Sequence, residues 1–300
     1  MILVAGGTGF VGSAVVQELL KRGESVAVLG RDADKVRRRF ADRVVAVQAD
    51  VGSPKQLSSV FEGIDTVVNA VQFPTSPIEI PRRGWTFEEV DYRGNVNLVN
   101  AAVAAGVGRF LYMSGVGAAH DAPKHWFRFK WMAEQALVNS GLEWTVIRPT
   151  WVYGKDDVAL NRLIGFSSFL PFVPMFGAGR QKMQPVFIDD VARVVCDAIA
   201  TTAASSQVFE LGGPEVMSMN EVLQSALGVM ERKRFILHQP IFVGKLLGRT
   251  ASLLPTPPLS ADAIDFIDSP AVADNTKVLA ILKAQLTPFR AGLETYLARH

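Results

Sequence analysis

The chain contains 300 residues, of which 49% are hydrophobic and 20% charged, and this composition excludes a disordered protein. Its net charge of +2 is too balanced for a dedicated nucleic-acid binder, and its single cysteine excludes an internal disulfide framework or a thiolate zinc cage. The four histidines show no ligand spacing, so no metal site is predicted.

The first residues form an apolar run. Met1 leads into Ile2–Ala5 without a preceding basic region, and no window offers about 18 uninterrupted apolar residues. We therefore predict neither a signal peptide nor a membrane-spanning helix. The expected location is cytoplasmic, with peripheral contact to a membrane left open.

Short apolar runs alternate with helical patterns throughout the first half of the chain. Strands that are apolar on both faces and alternate with helices indicate a parallel sheet covered on both sides. We therefore predict an α/β fold, with a Rossmann-type doubly wound parallel sheet over residues 1–149. The predicted strands are Ile2–Ala5, Ser25–Leu29, Val44–Gln48, Thr66–Val71, Arg109–Met113 and Trp144–Ile147. The predicted helices are Val11–Lys21, Asp34–Phe40, Pro54–Phe61, Thr86–Ala105 and His125–Asn139.

The alternation of predicted strands and helices ends after Arg148. Residues 150–186 are loop-like and rich in proline, glycine and phenylalanine. We predict that residues 150–300 form a smaller, mostly helical substrate or partner domain. Its segment 186–211, with a helix and a strand, is expected to return to the Rossmann core.

A glycine-rich turn follows the first predicted strand and opens the first predicted helix. Such glycines allow a tight turn and a close approach of the backbone to a pyrophosphate, which then faces the free N–H groups of the helix N-terminus. The strand–turn–helix context makes this a dinucleotide fingerprint. The predicted contacts are Gly6, Thr8, Gly9, Phe10, Val11 and Gly12.

The end of the second strand is expected to read the adenine ribose. Gly30 stands where an NAD-selective site would carry an acidic residue, and Arg31 follows it. A guanidinium suits a 2′-phosphate, so NADP(H) is favoured over NAD(H). Asp32 keeps NAD open, although it also suits the N-cap of the next helix. Asp50 and Val51 are placed to border the adenine, and a loop aspartate that caps the helix at Ser53–Pro54 is an equally good interpretation of Asp50.

Together these residues resemble the extended and atypical branches of the short-chain dehydrogenase/reductase superfamily, over nearly the whole chain. The tail from Asn220 looks most like the NAD(P)H-binding accessory-subunit family of respiratory complex I, and nucleotide-sugar epimerases share the front half. The motifs are GGTGFVG at 6–12, VVNAV at 67–71, VDYRGNVNLVNAA at 90–102, YMSGVGA at 112–118, IRPTWVYG at 147–154 and PVFIDDVA at 185–192.

The resemblance implies a Ser–Tyr–Lys catalytic arrangement, which this chain departs from. Ser114 and Lys130 stand at the expected positions, but the residue four before the lysine is Trp126. An indole N–H only donates and cannot exchange a proton near neutral pH, so the usual proton route is absent. His125 and Tyr153 are two alternative proton donors, each with a packing role as its more ordinary interpretation.

The resemblance also implies further cofactor contacts. Lys130 can still hold the nicotinamide ribose, while Asn69, Ala70 and Pro149 line the cofactor. Asp91 is a second departure, since many relatives carry an asparagine there.

Two apolar segments lie outside the cofactor half. Residues 150–186 are aromatic and suit an apolar ligand or a protein partner. Residues 240–254 form a basic amphipathic helix, which either contacts a membrane surface or packs on the substrate domain. Its predicted apolar stripe is Phe242, Val243, Leu246, Leu247, Thr250, Leu253 and Leu254, opposite Gly244, Lys245, Gly248 and Arg249.

Two functions remain open from sequence. The first is a weakly catalytic or non-catalytic NADP(H)-binding protein with an accessory role in a respiratory or quinone-related complex. The second is an active NADP-dependent oxidoreductase or epimerase, acting on a small or nucleotide-linked substrate through a relocated acid/base group.

Overall fold

The computed structural model describes residues 1–251, 254, 257 and 260–298. Its centre is a seven-stranded parallel sheet in the order β11-β6-β5-β4-β1-β2-β3. These strands are β1 (Ile2–Ala5), β2 (Val26–Gly30), β3 (Val45–Gln48), β4 (Thr66–Asn69), β5 (Arg109–Met113), β6 (Glu143–Pro149) and β11 (Gln207–Leu211). The predicted doubly wound fold is confirmed.

Helices cover both faces of the sheet. On one face lie α1 (Phe10–Lys21) and α7 (Ile188–Ala200), and on the other lie α4 (Gly94–Ala104) and α5 (His125–Val138). Successive residues of β1 enter opposite cores, because Ile2 and Val4 pack on the first face while Leu3 and Ala5 pack on the second. This double burial explains why the strands read as continuous apolar runs. Two shorter helices, α2 (Ala33–Phe40) and α3 (Pro54–Leu57), complete the cofactor half.

Two predicted helices differ in detail. The helix predicted to reach Phe61 ends at Leu57. The long helix predicted from Thr86 begins as a π-helical segment, Phe87–Arg93, before α4 takes over. The wider winding of a π-helix places Asp91 on the inside, where it is buried.

The segment 150–186 is more regular than its loop-like composition indicated. Asp157 caps α6 (Val158–Gly165) by accepting the backbone N–H groups of Ala159 and Leu160. The strand β8 (Phe172–Phe176) pairs in parallel with β13 (Phe235–Gln239), about 60 residues further along the chain. A local pattern cannot show a partner at that separation. Three strands of two residues each also lie between residues 152 and 187: β7 (Val152–Tyr153), β9 (Lys182–Met183) and β10 (Val186–Phe187).

The C-terminal part forms its own apolar core beside the sheet. Its strand β12 (Met217–Ser218) pairs with β9, and a capping box between Ser218 and Glu221 starts the helix that follows. The helices are α8 (Met219–Val229), α9 (Ile241–Ala251), α10 (Ala261–Asp268), α11 (Thr276–Ile281) and α12 (Phe289–Leu297). Within the part of the chain that the structure covers, every helix is too short or too polar to cross a bilayer.

Candidate functional site: a dinucleotide cleft with an altered catalytic end

The glycine turn between β1 and α1 is built from close backbone contacts. Gly6 has a φ of +76°, and a Cβ there would lie 2.7 Å from the carbonyl oxygen of Ala70. A Cβ on Gly12 would overlap the Gly6 carbonyl oxygen, and one on Gly7 would lie 2.7 Å from the Val28 side chain. The turn therefore needs glycine at three positions, and it leaves the first N–H groups of α1 facing outward.

A cleft opens over this turn at the carboxyl ends of the parallel strands. Five of the predicted cofactor residues line it together: Gly6, Thr8, Arg31, Asp50 and Val51. The sequence reasoning missed the opposite wall, which comes from the loop after β4 and from the π-helical segment. That wall consists of Val71, Gln72, Phe73, Pro74 and Val90. Only the position of this loop after a central strand could have signalled its role.

The cleft wall at the end of β2 carries a free cation. The Arg31 side chain makes no ion pair or hydrogen bond with any residue that the structure describes. Its neighbour Asp32 is engaged as the N-cap of α2, accepting the Lys35 backbone N–H at 2.9 Å. Asp50 accepts the N–H of Gly52 at 2.9 Å and so closes the turn after β3.

These features fit a dinucleotide. The Gly6 and Gly12 contacts show a cradle that a Cβ would fill, and the N-terminus of α1 supplies unpaired N–H groups for a pyrophosphate. The other predicted cofactor residues surround this cradle without lining the cleft itself. Gly9 is the N-cap of α1, Phe10 and Val11 begin it, and Ala70 and Pro149 are half-buried at the ends of β4 and β6.

Asn69 lies buried under the cleft. Its Nδ2 donates to Asn95 Oδ1 at 2.6 Å, and its Oδ1 accepts the Val71 N–H at 3.0 Å. Asn95 in turn donates to the carbonyl oxygen of Ala133 on α5 at 3.0 Å. In this arrangement Asn69 connects the loop after β4 to the two helices on that face.

Lys130, which the resemblance places in the catalytic arrangement, forms a buried pair with Asp91, and neither residue is among those that line the cleft. Lys130 Nζ lies 2.8 Å from Asp91 Oδ1, and both side chains are almost fully buried. The same ammonium lies 5.6 Å from the ring centroid of Tyr112. Burial alone would lower the pKa of Lys130, but Asp91 and Tyr112 raise it above its usual range. Burial also raises the pKa of the Asp91 carboxyl, so the two groups are a coupled buried pair in which Asp91 is the acidic neighbour of Lys130.

Ser114 stands at the end of β5, buried, with its backbone N–H donating to the carbonyl oxygen of Ile147 at 2.8 Å. Its Oγ has no hydrogen-bond partner among the residues described. A buried hydroxyl without a partner costs free energy unless a ligand satisfies it. This Oγ is consistent with the substrate-facing serine that the resemblance implies.

Trp126 is buried, with 2% of its surface exposed. It packs with Phe73 and Phe87 in a separate aromatic cluster, and its ring centroid lies 6.1 Å from that of Phe87. Its indole Nε1 has no acceptor in the described part of the chain. Of this cluster, Phe73 also lines the cleft, whereas Trp126 and Phe87 are not among the lining residues.

His125, beside Trp126, is paired with a residue that the sequence reasoning did not identify. Its Nε2 lies 3.1 Å from Oε2 of Glu79, while the other oxygen of Glu79 accepts the Phe87 N–H at 2.7 Å. The hydrogen bond with Glu79 raises the pKa of His125 above its usual value. Asp262 on α10 brings a further carboxylate within 4.8 Å of this pair. A salt-bridged, half-buried imidazole is thus held near the altered catalytic end.

Two other reactive side chains have structural surroundings. Tyr153 is fully buried, and its hydroxyl donates to the carbonyl oxygen of Phe289 at 3.2 Å beneath the C-terminal helix. Cys196 is buried in the core under α7, and burial raises the pKa of its thiol to about 12. Of the aromatic side chains in 150–186, Phe169 is well exposed, whereas Phe172 and Phe176 are half-buried on β8.

Comparison with known proteins places this geometry in context. The family described as NAD(P)H-binding matches residues 6–202. Subunit 9 of the NADH dehydrogenase (ubiquinone) 1 alpha subcomplex from Arabidopsis thaliana is 30% identical over 228 residues, covering 74% of this chain and 56% of that protein. The NAD(P)H azoreductase of Xenophilus azovorans is 29% identical over 222 residues, covering 74% of this chain and 71% of that protein. The chain thus spans little more than half of the length of the Arabidopsis relative.

Solved structures share the fold. UDP-glucuronic acid 4-epimerase from Bacillus cereus, in complex with UDP-glucuronic acid and NAD, matches with a TM-score of 0.77 at 19% identity, covering 99% of this chain and 98% of that chain. The NADPH-dependent quinone oxidoreductase of Escherichia coli, complexed with NADPH, matches with a TM-score of 0.75 at 19% identity, covering 98% and 99% of the two chains. At this identity the similarity shows a common fold. The predicted resemblance to NAD(P)H-binding proteins and to a subunit family of NADH dehydrogenase is confirmed.

Proposed function

The chain belongs to the NAD(P)H-binding family, and we propose that it binds NADP(H) as a weakly catalytic or non-catalytic protein with an accessory role. The observation that carries this proposal is the burial of Trp126 at the position of the usual acid/base tyrosine. An indole cannot take part in proton transfer at neutral pH. General acid/base groups contribute about 10²–10⁴-fold to such reactions, so their loss leaves little turnover.

The buried ion pair supports the same proposal. In the resemblance, the lysine lowers the pKa of a neighbouring tyrosine, which requires an uncompensated positive charge. Here the carboxyl group of Asp91 lies 2.8 Å from Lys130 Nζ, so the lysine faces an acidic neighbour that the usual arrangement does not include. Lys130 keeps a positioning role toward the nicotinamide ribose. When bound, the dinucleotide supplies a hydride, and this chain lacks the usual group that would deliver the accompanying proton.

The choice of NADP(H) rests on Arg31. Its guanidinium lies on the cleft wall at the end of β2 and is not engaged by a described carboxylate. A 2′-phosphate on the adenine ribose would accept two charge-assisted hydrogen bonds from it. Asp32 is occupied in capping α2, which weakens the case for a carboxylate reading the ribose hydroxyls of NAD.

The accessory role rests on relatives. Several proteins that match over most of this chain are named as subunits of NADH dehydrogenase (ubiquinone), including the mouse protein at 26% identity over 306 residues. Binding without turnover is what a structural cofactor in such an assembly requires. These relatives support the proposed accessory role in a respiratory or quinone-related assembly.

A comparison of three proteins distinguishes a non-catalytic binder from an active oxidoreductase. They are the full chain, Trp126→Tyr and the double variant Trp126→Tyr/Asp91→Asn. NADPH binding is followed by its fluorescence, and oxidation by single-turnover absorbance with a quinone, an azo dye and a nucleotide sugar. We expect tight binding and very slow oxidation by the wild type. The double variant should be at least about tenfold faster than Trp126→Tyr alone, because a phenol then faces an ammonium without an acidic neighbour.

Trp144→Tyr is the matched control, since it makes the same exchange at a half-buried position on β6. It should not change the rate. Wild-type oxidation that is faster than that of Trp126→Tyr would overturn the non-catalytic proposal.

A second candidate function has its own observation. His125 and Glu79 form an oriented acid/base pair beside Trp126, which would serve an active NADP-dependent oxidoreductase. The azoreductase relative supports this alternative. It predicts that His125→Gln abolishes NADPH oxidation while leaving NADPH binding intact, and that Glu79→Gln moves the high-pH limb of the rate profile to lower pH.

A further inference from the structure

Helix α9 buries its small residues and exposes its large apolar ones, which is the reverse of an ordinary amphipathic helix. Its two glycines, Gly244 and Gly248, are the buried positions. Phe242 is 70% exposed, Leu246 59% and Leu247 52%. The sequence placed the glycines on the face opposite the apolar stripe, and the structure packs that glycine face against the protein. Leu253 of the predicted stripe lies outside the described residues.

The close packing of the glycines explains this orientation. A Cβ on Gly244 would lie 2.7 Å from the ring of Phe176, and one on Gly248 would lie 2.6 Å from the backbone nitrogen of Ala261. A leucine or phenylalanine cannot occupy either place without moving the helix away. The apolar side chains are therefore directed outward by the packing of α9 against β8 and α10.

Leu254 extends the exposed apolar surface past the end of the helix, with 51% of its own surface accessible. Phe242, Leu246, Leu247 and Leu254 are called the α9 surface below. Phe242 and Leu246 lie one helical turn apart on the outer side of α9, and exposed apolar side chains grouped in this way mark a binding face rather than ordinary exposure.

Basic side chains border the α9 surface. Arg249 is exposed on the helix, and Arg82 donates to the carbonyl oxygen of Leu254 at 2.9 Å. Neither α9 nor the turn Pro81–Arg83 contains an acidic residue. On the packed side, Asp265 of α10 is engaged by Lys124 at 2.7 Å and by Lys245 at 2.6 Å. Arg249 and Arg82 therefore bring positive charge next to these apolar side chains, while the neighbouring α10 also carries Asp262 and Asp268.

We propose that the α9 surface docks on an anionic lipid bilayer, with α9 lying in the headgroup region. Apolar side chains bordered by arginines match the chemistry of that interface, where hydrocarbon and negative phosphate lie side by side. A helix of 11 residues is about 16 Å long, too short to span the hydrocarbon core but sufficient to lie along it. This goes beyond the proposed function, because docking requires neither bound cofactor nor turnover.

Co-sedimentation of the full chain with vesicles tests the proposal. One set contains phosphatidylcholine alone and the other adds phosphatidylglycerol, both at low salt. We expect binding to the anionic vesicles that weakens as salt is added. Phe242→Glu/Leu246→Glu should lower the partition coefficient at least about tenfold, since two exposed apolar side chains would no longer enter the interface. Arg249→Gln should lower it less.

The matched control is Val103→Glu, which places the same charge at an exposed apolar position on α4. It should leave binding unchanged, and retained NADPH affinity shows that each variant is folded. If the wild-type chain does not co-sediment with anionic vesicles at low salt, the proposal is wrong. A dimer in sedimentation velocity that Phe242→Glu/Leu246→Glu converts to a monomer would also overturn it, since a second copy would then cover the surface.

Discussion

The two ends of the cofactor cleft are built differently. The phosphate end consists of backbone, with Gly6 and Gly12 in contact and the N-terminus of α1 facing outward. The catalytic end consists of side chains: Trp126 stands in an aromatic cluster, and Lys130 is paired with Asp91. The proposed function depends on this difference: the backbone contacts would hold the dinucleotide, while the side chains around Trp126 would not support proton transfer.

Filling the phosphate end should have the largest effect. A methyl on Gly12 would overlap the Gly6 carbonyl oxygen, so Gly12→Ala must move α1 away from the turn. We expect about 3 kcal/mol lower free energy of unfolding and at least about 100-fold weaker NADPH binding. Urea unfolding and a fluorescence titration measure the two. Gly228→Ala, on α8 with open space around it, is the control; equal losses in both variants would contradict a cradle role.

Breaking the ion pair at the catalytic end comes second. Asp91→Asn leaves the ammonium of Lys130 buried without a counter-ion, although the amide oxygen can still accept a hydrogen bond. We expect the free energy of unfolding to fall by about 2 kcal/mol, with NADPH affinity changed less than by Gly12→Ala. Glu88→Gln removes an exposed carboxylate from the same π-helical segment and should cost almost nothing. Equal stability of wild type and Asp91→Asn would show that the pair contributes nothing.

Removing the free cation of the cleft should change cofactor choice. Arg31→Gln is expected to weaken NADPH binding about 10- to 30-fold while leaving NADH binding within about twofold. Titration of both dinucleotides against both variants gives the ratio directly. Arg37→Gln, whose exposed side chain pairs with Asp34, should leave that ratio unchanged. If both cofactors weaken equally, Arg31 does not read the 2′-phosphate.

The smallest effect concerns the salt-bridged pair beside Trp126. Because folding raises the pKa of His125, its contribution is present below the unfolded value of 6.5 and is lost as pH rises through the folded value. Because folding lowers the pKa of Glu79, its contribution is present above 4.5 and is lost as pH falls. Glu79→Gln should therefore cost about 0.5 kcal/mol near pH 5.5 and less near pH 8.5. A cost that does not vary with pH would show that the pair is not ionic.

The pattern of local residues carried much of the fold. The alternation of apolar runs and helical patterns predicted six strands of the sheet, since each strand is buried on both faces. The glycine turn predicted the cradle because tight backbone contact tolerates no Cβ at Gly6 or Gly12. The four-residue spacing also located Trp126 and Lys130 on one helix. None of this needs a distant partner.

Contacts between residues far apart in the chain could not be predicted from these local patterns. Glu79 meets His125 across 46 residues, and the loop carrying Phe73 becomes a cleft wall through its place after β4. The regular elements within 150–186 depend on partners such as β13, which lies about 60 residues downstream. Sequence periodicity shows which residues share a face of one helix or strand. It does not show which helices and strands pack against each other.

The sequence by itself determined the sheet, the glycine cradle and the placement of Trp126 and Lys130 on one helix, because each depends on residues that are close together along the chain. Only the tertiary structure decided which charges are paired and which apolar face is outward. In the folded chain Asp91 pairs with Lys130, and the glycines of α9 face the protein interior. A local sequence pattern does not specify which side of a helix is buried; buried partners and close backbone contacts do.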